Sequence, residues 1–214
     1  MKDEILALES DFSNNSYYGT NVWTEEKYRV ISGSIPVLLS APHAVNQFRG
    51  DDVRDAEKYT GAIVRFISRA TNSFSIFQMF THQDPNTDSE SLYKDAVINL
   101  IDNYKIKLFI DVHSSTFKND ADIDLVTHLH ETLCGDELLI EKIKLLGLKY
   151  NLKIEENNKP NPEKINEVIA VSARKCGIPS IRLVINNNSL DVINNEDKFK
   201  RICSLLQEVI ESWK

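Results

Sequence analysis

Cysteine, glycine and long apolar runs are all scarce in this chain of 214 residues. The three cysteines are far apart and show no CxxC spacing, so neither a disulfide framework nor a cysteine zinc site is indicated. The seven glycines are not clustered, which argues against a glycine-rich phosphate loop. No long apolar run follows the acidic start Met1-Lys2-Asp3-Glu4, so we expect a cytoplasmic protein without a secretory signal or a membrane span.

Positively charged residues are also fewer than negatively charged ones: the chain has 25 Lys and Arg and 32 Asp and Glu, for a formal net charge of −7. A general nucleic-acid binder normally presents a basic face, so we expect no nucleic-acid partner. A local basic pocket for a small molecule remains compatible with this balance. The length and the ordinary contents of charged residues (27%) and hydrophobic residues (42%) predict one soluble globular domain over residues 1–214.

Strand-like apolar runs alternate with helix-like segments through most of the chain. The runs begin at Pro36, Phe74, Ile106, Ile123 and Ile181. This alternation predicts an α/β fold with three α/β/α layers around a mixed sheet.

Two regions outside this alternation receive weaker structural predictions. Residues 1–25 show no clear period and are predicted to form a loose N-terminal arm. Residues 26–34 are predicted to form a strand that pairs as a hairpin with the run after Pro36. Residues 46–55 are predicted to be a polar loop.

Two of the predicted strands end in a histidine, His43 and His113, and Glu57 lies in the predicted first turn of the helix after the first of them. Open α/β sheets place their ligand sites outside the carboxyl ends of the strands, so these three side chains are expected to converge. Two imidazoles and a carboxylate, with a fourth position for water, are typical of a catalytic zinc site. Another divalent metal remains an alternative.

Each candidate ligand also has an ordinary structural explanation. A histidine at a strand end can simply bind backbone groups, and a glutamate in a first helical turn can simply favour the helix dipole. His128 and His130 would share a face if their strand extends that far, and they are an alternative source of ligands in place of Glu57.

Asp111 lies two residues before His113, so both side chains face the same way in a strand. A carboxylate there can hold the far nitrogen of the imidazole and fix its tautomer. The alternative is a carboxylate that caps a nearby loop. Arg49, Arg54 and Arg182 are the cations expected to face this edge, where an arginine can recognise a carboxylate or oxyanion, although simple solvation would also explain Arg49 and Arg54.

Several short motifs in order resemble the N-formylglutamate amidohydrolase family, which is related to the zinc carboxypeptidases. They are Ser40-Ala41-Pro42-His43, Gln47-x-Arg49, Glu57-x-x-Thr60-Gly61, Asp84-Pro85-Asn86 and Ile110-Asp111-Val112-His113. The resemblance covers most of residues 35–190 and implies a phosphorylase/hydrolase-like fold. It also implies zinc on His43, Glu57 and His113, with hydrolysis of a small amide by a zinc-activated water. Asn86 joins Arg49 and Arg182 as a candidate substrate contact.

The chain departs from the pattern of this family at two positions. Val184 stands where such enzymes usually carry a glutamate base on a late strand, which leaves the catalytic base unknown. Thr87 stands where relatives often have an arginine that clamps a substrate carboxylate. Either Arg49 or Arg182 takes over that clamp, or the substrate is not an acidic amino-acid derivative.

Three functions remain open at this point. The leading hypothesis is an amidohydrolase, and its rival is a catalytically degenerate homologue that binds a metal or ligand without turning it over. The third is a phosphodiesterase-like metal hydrolase, which is disfavoured because the chain lacks a phosphate-cradling loop.

Overall fold

Nine strands form a seven-stranded sheet and a separate two-stranded hairpin in the structure, a computed structural model that describes residues 1–19, 27–157 and 166–214. The strands are β1 (Tyr28–Ile31), β2 (Ile35–Ala41), β3 (Gln47–Arg49), β4 (Asp52–Arg54), β5 (Ser73–Gln78), β6 (Leu108–Ser115), β7 (Ile123–Val126), β8 (Ile154–Glu156) and β9 (Ser180–Asn186). β3 and β4 make the hairpin, and the other seven make the main sheet in the order β1-β5-β2-β6-β9-β7-β8.

The centre of the main sheet is parallel and its flanks are mixed. β5, β2, β6 and β9 are successive parallel neighbours, whereas β1 is antiparallel to β5 and β7 is antiparallel to β9. The carboxyl ends of the four central strands therefore lie along one edge, where α/β folds place their ligand sites. The predicted mixed sheet is confirmed.

Helices cover both faces of this sheet. They are α1 (Lys2–Ser13), α2 (Thr60–Thr71), α3 (Leu92–Tyr104), α4 (Leu138–Lys149), α5 (Val168–Cys176), α6 (Asn187–Leu190) and α7 (Glu196–Glu211), with a 3-10 turn at Glu131–Leu133. Alternate strand residues feed two apolar clusters: Val37 and Leu39 of β2 pack with α1, α2, α4 and α7, and Leu38 packs with α3 and α5. The predicted three-layer α/β/α fold is confirmed. Among the described residues, none of the helices has both the length and the apolarity needed to cross a membrane.

The N-terminal segment is not the loose arm that the sequence predicted. Lys2–Ser13 is the helix α1, and its residues Ile5, Leu8 and Phe12 are buried at helical spacing in the same apolar cluster as residues of α2. The ring of Phe12 meets that of Phe77 edge-on, with 5.9 Å between centroids. The sequence pattern did not reveal this helix because the Ser, Asn and Gly residues that follow it obscure its short apolar stripe. Residues 20–25 of the predicted arm lie outside the described part of the chain.

Two predicted connections also differ from the structure. β1 pairs with β5, not with β2, because β5 and β6 already occupy both edges of β2. The predicted polar loop at residues 46–55 contains the β3–β4 hairpin, whose register pairs Gln47 with Arg54. Both errors arise because pairing depends on distant strands that local patterns do not reveal.

Glu9 is an acid buried in the interface between α1 and the start of α2. Its side chain is only 5% exposed, and its Oε1 accepts hydrogen bonds from the Tyr17 hydroxyl and the Tyr59 backbone N–H. Burial raises the pKa of Glu9 to about 7 in spite of these two hydrogen bonds. The folded protein therefore holds a proton on Glu9 that the unfolded chain releases at lower pH.

This raised pKa predicts a pH-dependent stability. The contribution of protonated Glu9 is fully present below the unfolded pKa of 4.5 and is lost as the pH rises through about 7. Glu9→Gln removes this titration. The free energy of unfolding of Glu9→Gln minus that of wild type should therefore increase by about 3 kcal/mol as the pH rises from 4.5 to 8. Urea unfolding across this pH range measures the difference. Glu4→Gln, at an exposed position of α1, serves as the control, and equal pH slopes for wild type and Glu9→Gln would contradict the prediction.

Candidate metal centre

Adjacent strands bring the two predicted histidines together at the carboxyl edge of the sheet. β2 and β6 are parallel neighbours that pair Ser40 with Asp111, so His43 just beyond β2 lies close to His113 near the end of β6. Their rings are perpendicular, with 4.7 Å between centroids. Both side chains are almost fully buried.

Glu57 lies between these two imidazoles. Its Oε1 is 2.8 Å from His43 Nδ1 and 3.2 Å from His113 Nδ1, and its Oε2 accepts the Ser114 backbone N–H at 2.8 Å. One ligand atom from each of His43, Glu57 and His113 lies within 4.8 Å of the others. The three side chains that the sequence singled out therefore meet at one point.

Glu57 reaches this position from a loop, not from the predicted first turn of a helix. Its backbone N–H donates to the His43 carbonyl at 2.9 Å, which commits the residue to a turn. Tyr59 then adopts a left-handed conformation with φ of 66°, and α2 begins only at Thr60. The Asn46 side chain accepts the Ala56 backbone N–H at 2.9 Å. These contacts close the base of the β3–β4 hairpin and fix the distance between His43 and Glu57.

A buried carboxylate holds the far nitrogen of each imidazole. His43 Nε2 lies 2.9 Å from Asp84 Oδ1, and His113 Nε2 lies 2.9 Å from Asp111 Oδ2. Both aspartates are fully buried. Such bonds place the ring proton on Nε2 and leave the Nδ1 lone pair to bind a metal, the usual support of a metal-binding imidazole. Asp111 thus has the contact predicted for it, whereas sequence reasoning noted Asp84 only as part of a motif.

The charges in this cluster favour a cation. Burial lowers the pKa of His113, but the negative charges of Glu57 and Asp111 outweigh it and raise this pKa to about 9. Burial likewise lowers the pKa of His43, but Glu57 and Asp84 raise it above its ordinary value. Burial raises the pKa of Glu57, and the positive charges of His113 and His43 bring it well below its usual range. Three carboxylates around two imidazoles thus stabilise added positive charge.

The donor set fits a divalent transition metal. Two imidazole nitrogens and a carboxylate oxygen are ligands that zinc accepts, and the open side of the cluster leaves room for a further ligand. No second group of three such side chains lies this close together in the described ranges.

His128 and His130 do not supply ligands in place of Glu57. β7 ends at Val126, and both histidines follow it in a turn with positive φ values of 46° and 71°. His128 Nε2 lies 2.8 Å from Glu167 Oε2, and His130 Nε2 lies 2.6 Å from Glu156 Oε1. The condition for a shared face, a strand that extends to both histidines, is therefore not met, because β7 stops before it reaches them.

The three candidate substrate contacts have different environments in the structure. Arg49, in the hairpin, is 48% exposed and binds Asp84 Oδ2 through Nε at 2.8 Å. Arg182 of β9 is buried, and its guanidinium contacts Glu167 at 2.9 Å and Asn86 at 3.1 Å. Asn86 Oδ1 also accepts the Val168 N–H at the start of α5 at 3.2 Å. Arg49 is accessible, whereas Arg182 and Asn86 chiefly hold the framework together.

An open cleft of about 390 Å³ lies in front of the cluster. Its walls include the three candidate ligands together with Arg49, Asn86, Thr87, Ser114, Ser115, Glu167, Arg182 and Val184. Val184 pairs in register with His113 across β6 and β9, so the valine lies beside the cluster. Sequence reasoning missed Glu167, which local patterns could have revealed only as a polar residue before a helix.

Solved structures resemble this fold at low sequence identity. N-formylglutamate amidohydrolase from Ralstonia eutropha JMP134 superposes with a TM-score of 0.64 at 12% identity, over 87% of this chain and 97% of that one. The gene product Atu2144 from Agrobacterium tumefaciens gives a TM-score of 0.62 at 13% identity, over 88% and 94%. A bacteriophage poly-gamma-glutamate hydrolase gives 0.52 at 14% identity, over 89% and 91%.

The chain has the N-formylglutamate amidohydrolase fold. The structural resemblance that the sequence motifs indicated is thereby confirmed at the level of the fold. No family model and no curated protein matches the sequence. In this chain the cleft lies at the carboxyl edge of the sheet, where His43, Glu57 and His113 meet.

Asn86 connects the cleft wall to the rest of the fold, and this role predicts a loss of stability. Asn86→Ala removes the acceptor of two buried donors, so the free energy of unfolding should fall by roughly 2–4 kcal/mol. Urea unfolding measures it. Asn187→Ala, which removes an exposed bond to Thr116, should change the same quantity by less than about 0.5 kcal/mol. Similar values for the two variants would contradict this role of Asn86.

Proposed function

We propose that this protein is a metal-dependent hydrolase that cleaves an amide bond of a small molecule, with zinc as the metal. The observation that carries the proposal is the pair of Nδ1 atoms that face one carboxylate in an open cleft, each imidazole backed by a buried aspartate. N-formylglutamate amidohydrolase and a poly-gamma-glutamate hydrolase, which share the fold, are both named for hydrolysis of glutamate-derived compounds. A further structure of this fold, at a TM-score of 0.53, is the zinc-free apo form of YNDL.

His43, Glu57 and His113 would hold the metal, which supplies polarisation of the amide carbonyl and activation of a water at neutral pH. Asp84 and Asp111 orient the two imidazoles, and the Ser114 backbone N–H holds the second oxygen of Glu57. The residues of the cleft walls bind and orient the substrate. A catalytic site built on strand ends and a tight turn keeps these groups in place without large rearrangement.

Arg49 is the residue best suited to recognise a carboxylate of the substrate. Its side chain is half-exposed at the cleft, and its Nε contact with Asp84 orients the guanidinium. Arg182 is less suited, because its contacts with Glu167, Asn86 and Asp111 already use its donors. Thr87 therefore does not exclude an acidic substrate, since the positive charge comes from the hairpin.

Metal content tests the first part of the proposal. The purified protein is expected to hold stoichiometric zinc after dialysis, and His43→Ala is expected to lose it, because one of three protein ligands is removed. Elemental analysis by mass spectrometry measures both. His130→Ala removes an imidazole that pairs with a glutamate outside the cleft and should retain the metal. Equal zinc contents in His43→Ala and wild type would overturn the metal site.

Hydrolysis of N-formyl-L-glutamate and of a neutral formyl amino acid tests the second part. Arg49→Gln should raise KM for the acidic substrate by about 10–100-fold and change KM for the neutral one little, because a charge-assisted contact is lost. Arg54→Gln, at an exposed position of the same hairpin, is the matched control. Equal effects of Arg49→Gln on the two substrates would show that Arg49 does not bind a substrate carboxylate.

A second function is favoured by Val184, which lies in the cleft beside His113 where a base is expected. Under this alternative, the protein binds the metal and a ligand without turnover. Zinc-loaded wild type would then be inactive on formyl and gamma-glutamyl substrates, and Val184→Glu would gain activity. Brisk hydrolysis by wild type would exclude it.

A further inference from the structure

Three leucines of α4 form an apolar stripe on the side of the helix that faces away from the core. Leu138, Leu145 and Leu148 are 78%, 66% and 79% exposed. The opposite side of the helix is buried in the main apolar cluster through Leu139, Ile140, Ile143 and Leu146. Single exposed leucines are common on protein surfaces, but three that share one helix face form a patch of the kind that marks a contact surface.

The spacing of this leucine stripe is that of a helix–helix seam. Leu138 and Leu145 are seven residues apart and Leu148 follows three residues later, as at the a and d positions of a coiled coil. Glu141 occupies the remaining d position of the stripe. The stripe therefore fits a second helix with the same spacing, and α4 of a second copy of this chain is such a helix.

Contacts with β8 hold α4 in place. Gly147 lies so close to Ile154 that a Cβ at this position would come within 2.6 Å of the isoleucine side chain. The Lys144 ammonium binds Glu156 at 2.9 Å. The leucine stripe is therefore presented on a fixed support, and a partner can bind it without rearrangement of the helix.

The charges beside the stripe favour a second copy over an anionic membrane as the partner. Lys144 is paired with Glu156 and Lys149 with Glu208, and the exposed Glu141 lies within the stripe itself. A membrane-binding helix instead borders its apolar face with Lys and Arg whose charges attract anionic lipids. The whole chain also carries a formal net charge of −7, which such a surface repels.

We propose that this protein forms a homodimer in which the α4 helices of two copies pack antiparallel through the leucine stripe. Two-fold antiparallel pairing about Ile143 brings Leu138 of one copy opposite Leu148 of the other. It also brings Glu141 beside Lys144 of the second copy, because both lie on the same flank of the stripe. Parallel pairing would instead bring the two Glu141 carboxylates together. The inference is independent of the proposed hydrolysis, since no described residue of α4 lines the cleft.

The size of this helix predicts a weak, reversible dimer. α4 has 12 residues and is about 18 Å long. Two such helices bury less than the roughly 1,600 Å² of a standard interface, so we expect a dissociation constant of roughly 1–100 µM. Sedimentation velocity at protein concentrations from about 1 to 500 µM covers this range and measures the constant. Wild type that stays monomeric at every concentration would overturn the proposal.

Leu145→Glu tests the stripe directly. A charge in the stripe must lose its water when the helices pair, so the dissociation constant should rise by at least about 10-fold. Leu92→Glu is the matched control, because Leu92 is 56% exposed on α3 and lies outside the stripe; it should leave the constant unchanged. The far-UV circular dichroism of both variants should match that of wild type, since both positions are exposed. Dimerisation of wild-type strength in Leu145→Glu would overturn the proposal.

Two substitutions of Glu141 test the seam and the direction of the helices. Glu141→Leu completes the row of leucines, so the dissociation constant should fall by about 10-fold or more. Glu141→Lys replaces the attraction to Lys144 of the second copy by repulsion, so the constant should rise by about 3–10-fold. In a parallel pair it would only exchange one like-charge pair for another. Glu141→Leu without tighter association would overturn the seam, and an unchanged constant for Glu141→Lys would overturn the antiparallel arrangement.

Lipid vesicles distinguish the dimer from a membrane-bound helix. Wild type should not co-sediment with vesicles of phosphatidylcholine and phosphatidylserine. Binding of monomeric wild type to these vesicles, with loss of binding in Leu145→Glu, would assign the stripe to a membrane surface and overturn the dimer. Association is measured without substrate or zinc, so failure of the dimer and failure of the proposed hydrolysis can be told apart.

Discussion

The contact of one carboxylate with two imidazoles is the constraint around which this site is built. Glu57 touches both Nδ1 atoms, and each opposite Nε2 is bonded to a fully buried aspartate. Burial of three carboxylates is costly unless positive charge compensates them, and two imidazoles with raised pKa values provide part of it. The cluster therefore stabilises an added proton or metal cation. The surrounding backbone must hold the side chains close together so that they all contact this charge.

The sheet meets this requirement through its strand order. β2 and β6 are parallel neighbours, so residues at the ends of two strands far apart in sequence lie side by side. β9 continues the parallel run and brings Arg182 opposite Asp111, which extends the network of charges from His113 through Arg182 to Glu167. The apolar clusters on both faces keep these strands in register. The packing of the core and the geometry of the cleft therefore depend on the same strand register.

The sequence predicted the features that depend on local pattern and on the general rule for strand ends. The α/β/α fold follows from alternating strands and helices, and the meeting of His43, Glu57 and His113 follows from parallel strands that end at one edge. Features set by distant contacts could not be predicted in this way. α1 depends on packing with α2 in one apolar cluster, β1 pairs with β5 because both edges of β2 are occupied, and β7 ends before His128. Asp84 and Glu167 were missed because the side chains that they contact, His43 for Asp84 and His128 and Arg182 for Glu167, lie on other elements of the fold.

The β3–β4 hairpin is closed at its base by two bonds, from Glu57 to the His43 carbonyl and from Ala56 to the Asn46 side chain. Because these two bonds lie at the base of the hairpin, the distance between His43 and Glu57 does not depend on the length or sequence of the hairpin tip. Substitutions in the exposed residues 50–54 should therefore leave the positions of His43 and Glu57 unchanged. The conformation of the hairpin tip can therefore change without moving the candidate ligands at its base.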